Sequence, residues 1–143
     1  MQVHQFQTIE EAKAYALAGN ATITLESLRT QTHFTYKVRA AKEEREGQGP
    51  VHFVQLLTNG SADGGEFNYL GMIQGGVFRL TKASRAGLDA PTVKAFSFFM
   101  KLTQLHPELI VHHEGRCGRC GRTLTVPDSI RAGIGPECAG KMD

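Results

Sequence analysis

The stretch His33-Phe34-Thr35-Tyr36-Lys37-Val38-Arg39-Ala40 decides the fold. Phe34, Tyr36 and Val38 alternate with Thr35, Lys37 and Arg39, the period-two pattern of a strand with one apolar and one polar face. Similar stretches surround it. Thr22 to Glu26 alternates before it; Val51 to Leu57, Glu66 to Ile73 and Val77 to Thr81 follow. Between them lie the charged, Gly-bearing segment 42–49, a turn cluster over 59–65, and Gln74-Gly75-Gly76, which suits a short hairpin. Consecutive strands with short connections imply an antiparallel sheet.

Two helices flank this run. Thr8-Ile9-Glu10-Glu11 is a capping box, and an Ala-rich segment continues from it to Gly19. Pro91 opens a second helix, expected to run to about His106, before Pro107. Val93, Phe96, Phe99, Leu102 and Leu105 belong to its broad apolar face, while Lys94, Ser97, Lys101 and Gln104 form its solvent stripe. Leu109-Ile110-Val111 adds a short strand. The fold class expected is α+β: an antiparallel sheet of about five strands, an N-terminal helix, a central packed helix and a C-terminal zinc knuckle. The division expected is an α+β domain over 1–110 and a knuckle over 111–143.

The knuckle rests on all three cysteines of the chain, Cys117, Cys120 and Cys138. The C-x-x-C spacing turns two thiolates toward one metal ion, and Cys138 returns after the Gly-Ile-Gly-Pro turn. A structural Zn²⁺ takes four ligands, and Cys3His is an accepted set. Strand alternation puts His113 on the face of Cys117 and favours it as the fourth ligand; His112 would point the other way. His112, His106, Glu137 and Asp143 stay open as alternatives. A knuckle, a short hairpin arm over 122–126 and a terminal helical turn give a treble-clef-like order. It departs from the usual form because Lys141, not a ligand, follows Cys138 at the third position.

At these residues the chain resembles a known family. His-Glu-Gly-Arg-Cys-Gly-Arg-Cys-Gly-Arg, Leu124-Thr125-Val126-Pro127, Ser129-Ile130 and Gly133-Ile134-Gly135-Pro136-Glu137-Cys138 are similar to the signature of a domain family of unknown function, common in bacteriophage and prophage proteins. The middle of the chain is more loosely similar, at Phe34 to Val38, Tyr69-Leu70-Gly71, Phe78 to Thr81 and Val93 to Phe96. The resemblance implies a viral or prophage origin and a cysteine-rich metal site. It implies no activity.

No enzyme constellation emerges. His112-His113-Glu114 contains the H-x-E of zinc deaminases, but Cys117 follows too closely and Arg116 stands where proline belongs. A thioredoxin-like redox motif would open a helix, whereas Gly121 and Pro127 follow here. P-loop, Ser/His/Asp and paired-carboxylate motifs are missing from the sequence. No stretch approaches a transmembrane helix, and the N-terminus lacks the regions of a signal peptide. A cytoplasmic location is expected, in the host cytoplasm if phage-encoded.

Two partner classes remain. Net charge is only +2, but cations concentrate at Arg116, Arg119 and Arg122 and again at Arg79, Lys82 and Arg85, onward to Lys101. Such arginines can contact successive phosphates, or they can offset the charge of three thiolates on Zn²⁺. The pairs Phe34/Tyr36 and Phe67/Tyr69 each share a strand face. Sheet aromatics more often form the core under a helix, yet exposed pairs stack single-stranded bases. The favoured expectation is a non-enzymatic phage-type accessory protein that binds nucleic acid, single-stranded above all. The other is an inhibitor that binds a host defence or transcription protein.

Overall fold

The computed structural model describes residues 4–41, 51–60, 65–84 and 86–113. Strand β1 (His4–Gln5) precedes helix α1 (Ile9–Ala16). Then come β2 (Asn20–Ser27), β3 (Thr32–Ala40), β4 (Val51–Asn59), β5 (Glu66–Gln74), β6 (Val77–Arg79), helix α2 (Pro91–Lys101) and β7 (Leu109–His113). All described strands join one sheet, in the order β1-β7-β2-β3-β4-β5-β6, and every pairing is antiparallel.

The α+β expectation with about five strands is therefore corrected. The described chain is mostly antiparallel sheet, curled into a half-barrel, with two short helices of 8 and 11 residues. Six strands have three residues or more, and the two-residue β1 adds a seventh at one edge. Two physical reasons account for the difference. Helix α2 does not reach His106: at Leu102 the backbone turns extended (φ −68°, ψ 140°), and the Leu102 N–H closes onto the Phe99 carbonyl at 3.2 Å. The residues after it then return as β7, which enters the sheet between β1 and β2 and runs to His113. The expected knuckle over 114–143 lies outside the described residues, and β7 straddles the expected boundary at 110/111.

Local signals explain most elements. Thr8 caps α1, its hydroxyl accepting the Glu11 N–H at 3.1 Å. Gly75 and Gly76, both with positive φ (58° and 80°), make the two-residue β5–β6 turn; a type I′ turn requires that sign at both positions. Register shifts in the β4–β5 ladder, at Val54/Gln55 and at Leu57/Asn59, are bulges that bend the sheet.

Both helices cover the same face of the sheet. Ile9, Ala12, Tyr15 and Ala16 of α1, and Val93, Phe96 and Phe99 of α2, join Ile23, Leu25, Tyr36, Val38, Val54, Ile73 and Val111 in one buried cluster. Burying one large apolar side chain contributes roughly 1.5–3 kcal/mol. Two buried polar side chains, Tyr15 and His52, tie α1 to the sheet through hydrogen bonds. Tyr15 Oη donates to the Thr22 carbonyl (2.9 Å) and accepts the Thr22 N–H (3.1 Å), fastening α1 to β2. Buried His52 donates from Nε2 to the Leu17 carbonyl at 3.0 Å, closing the end of α1. Phe78 lies over Gly71, where a side chain would collide, and packs at a 60° tilt against Phe96 with ring centroids 4.8 Å apart.

Candidate nucleic-acid interface

On the opposite face, which neither helix covers, the register lines up cations and aromatic rings. Arg39 pairs with Phe53, Phe53 with Met72, and Met72 with Arg79, so these four form one row across β3 to β6. Beside it runs a second row, Lys37–Gln55–Tyr69. Phe67, opposite Leu57, extends the patch along β5. Neighbouring strands are about 4.8 Å apart, which puts the backbones at Arg39 and Arg79 about 14 Å apart across this face. Phe53 is 43% exposed, Phe67 and Tyr69 are half-buried, and Arg39 and Arg79 are exposed.

The patch is ordered by its own contacts. Lys37 Nζ sits 4.3 Å from the Phe67 ring centroid, a cation–π contact. The Phe53 and Tyr69 rings are tilted with centroids 6.4 Å apart, and the Tyr69 hydroxyl is 2.9 Å from Thr81 Oγ1. No ion pair engages Lys37, Arg39 or Arg79 within the described residues. Chemically, the face offers π-surfaces for bases and positive charge for phosphates.

The sequence pairs separate onto the two faces. Phe34 and Tyr36 belong to the helix-covered side, Tyr36 fully buried against Phe96. Phe67 and Tyr69 belong to the open side, because the bulge at Val54/Gln55 shifts the alternation of β5 relative to β4. Arg79 joins the open face, and Lys82 is exposed in the turn after β6. Arg85, Arg116, Arg119 and Arg122 lie outside the described residues. Sequence reasoning missed Phe53, Lys37 and Arg39 as members of this patch. Lys37 and Arg39 were legible as the polar side of β3, but Val51-His52-Phe53-Val54 hides its alternation. There the histidine faces the core and the phenylalanine faces outward, the reverse of what polarity suggests.

For the metal, β7 puts the two candidate histidines on opposite faces, as alternation requires. His113 is wholly buried, its ring 5.0 Å from Phe6 and 5.4 Å from Tyr15, centroid to centroid. His112 turns to the open face, its Nε2 3.0 Å from Glu26 Oε1. His112 Nδ1 is buried and has no hydrogen-bond partner among the described residues. A carboxylate on one ring nitrogen is how many metal-bound histidines are oriented. His106 is in a different place, its Nδ1 accepting the Glu108 N–H at 3.1 Å. Among the described residues no three His, Cys, Asp or Glu side chains gather around a common point. Cys117, Cys120 and Cys138, with Glu137 and Asp143, lie outside them.

Residues 111–143 match a family of unknown function, DUF6011. The matched stretch begins in β7 and contains every cysteine of the chain. No match is found among curated proteins or among solved structures. No described helix is long and apolar enough to cross a membrane.

Proposed function

We propose that this chain is a non-enzymatic, phage-type accessory protein that binds single-stranded nucleic acid across the open face of its sheet. The observation that carries this reading is the row Arg39–Phe53–Met72–Arg79 with Lys37, Phe67 and Tyr69 beside it. Stacking of a base on an aromatic side chain is worth about 1–3 kcal/mol and tolerates any base. Interleaved cations add a sequence-independent, salt-sensitive attraction to phosphates. Lys82, Arg85, Arg116, Arg119 and Arg122 extend that attraction in this reading.

A structural zinc site completes the proposal, with Cys117, Cys120, Cys138 and His113 as ligands. Its support is the ligand spacing and the buried placement of His113, packed against two rings at the end of the strand that leads into the cysteine stretch. Bound zinc would cross-link residues 113–138, and binding free energy of such a site is folding free energy.

The test is a titration of labelled single- and double-stranded oligonucleotides at two salt concentrations. Single strands should bind more tightly. Phe53→Ala should weaken binding by about 1–3 kcal/mol. Arg39→Ala with Arg79→Ala should lower the salt slope by about 1.4, at roughly 0.7 per neutralised single-strand phosphate. No binding at roughly 50 mM salt, with a host protein co-purifying instead, would replace this reading by the inhibitor one.

A further inference from the structure

Away from the open face, a cleft of about 530 Å³ lies between α2 and the adjoining ends of β2, β3 and β7. Its size falls in the range of small-molecule sites, roughly 300–1,000 Å³. The floor is apolar: Leu25, Phe34, Ala95 and Leu109. Phe98 forms a wall, 44% exposed and edge-on to His106 at 5.3 Å between centroids. An exposed phenylalanine on a helix whose neighbours Phe96 and Phe99 are fully buried presents ring surface to whatever enters.

The rim carries the charge. Arg29, from the β2–β3 turn, and Lys94, from α2, both line the cleft, and among the described residues that line it Glu108 is the one carboxylate. None of the three makes an ion pair within the described residues. His106 Nδ1 accepts the Glu108 N–H, which leaves Nε2 as the protonated nitrogen of the neutral ring and therefore a donor. Ser27, Thr30 and Thr32 add hydroxyls. The cleft thus combines an apolar interior, an aromatic wall and an excess of cationic donors over carboxylates.

We propose that this cleft binds a small organic acid with a flat apolar body, the body lying against Phe98 and Ala95 and the carboxylate taken by the cations of the rim. A neutral ligand would leave Arg29 and Lys94 unused, and an ammonium would meet like charge. The proposal is independent of the nucleic-acid reading, since none of the open-face residues lines the cleft.

The experiment is isothermal titration of the full chain with naphthalene-2-carboxylate, its neutral carboxamide and the matching methylammonium. The carboxylate should bind at least about tenfold more tightly than the carboxamide, a difference of about 1.4 kcal/mol, and the ammonium least of all. Lys94→Gln with Arg29→Gln should erase the preference for the carboxylate while the carboxamide still binds. Ala95→Leu, which fills the floor from an already half-buried position, should weaken both probes with the thermal midpoint retained. Equal binding of the three probes overturns the proposal. So does binding of the carboxylate unchanged in both variants, or no binding of any probe at roughly 1 mM.

Discussion

Tyr36 puts a phenol in the middle of an apolar cluster and gives its proton one destination, the Thr92 carbonyl of α2 at 2.7 Å. Burial pushes the hydroxyl far above the usual tyrosine range. The folded state therefore disfavours the ionised form, while the unfolded chain ionises near pH ~10. Stability from this group is complete below that pH and is lost as pH rises above it. Tyr36→Phe should cost about 1 kcal/mol at neutral pH, the net value of one hydrogen bond. At pH ~10.5 the gap between the two proteins should narrow by about 0.8 kcal/mol. Urea unfolding at both pH values measures it, and a gap that stays constant would show that the phenol is not so constrained. The histidines of β7 give a second test at this scale. His113→Ala should lower stability with or without metal, because it empties a space between Phe6 and Tyr15, so zinc per chain is the decisive readout. Cys138→Ser and His113→Ala should both lose zinc, and His112→Ala should keep it. Zinc retained by His113→Ala but lost by His112→Ala would move the ligand to the open face. Alternation alone separated these two histidines in the sequence. The burial of one beneath Phe6 was not readable, because Phe6 arrives from the other end of the described chain.

Among elements, the β5–β6 hairpin makes the sharpest demand on residue size. A Cβ on Gly71 would stand 2.7 Å from the Arg79 carbonyl oxygen and 2.8 Å from Phe78 Cε1. The ring can give way, but the backbone oxygen is fixed by the ladder. Gly71→Ala should therefore destabilise the fold by about 1–3 kcal/mol, measured as a lower urea midpoint, and Phe78→Leu in the same chain should recover only part of the loss. An unchanged midpoint would mean that β6 is free to move. The strands themselves were legible, since β3 carries strong alternation, turn-forming segments separate it from β4 and β5, and Gly75-Gly76 specifies a tight turn. The bulges were not: the first inserts Leu70 into β5 and the second Thr58 into β4, and neither residue breaks the run of strand-forming residues around it. Yet the slip at Leu70 sends Phe67 and Tyr69 to the open face. The end of α2 departs from the expected His106 for a related reason. Leu102 and Leu105 keep the helical spacing of apolar residues after the backbone has left the helix.

At the scale of the whole molecule, amphipathic helices and alternating strands fix which surfaces are buried without fixing the order of strands in the sheet. Short connections give β2 to β6 as consecutive neighbours. They cannot say that β7 lies between β1 and β2, which depends on pairing Leu25 with Val111 and Ile23 with His113. The same placement separates two surfaces with different chemistry. The open face spreads over β3 to β6, whereas the cleft opens beside α2 where β2, β3 and β7 meet. Variants of Phe53 and variants of Lys94 should accordingly leave each other's binding intact.

The position of β7 also orders events during synthesis. As the chain leaves the ribosome, β2 to β6 can zip together by successive hairpins. One edge of β2 then stays bare, its N–H and C=O groups exposed and ready to pair with a neighbouring chain. Only when residues 109–113 emerge can that edge close, and only then does β1 have a strand to pair with. The first described strand thus pairs only with the last, and until the last emerges the bare edge of β2 is open to pairing with another chain.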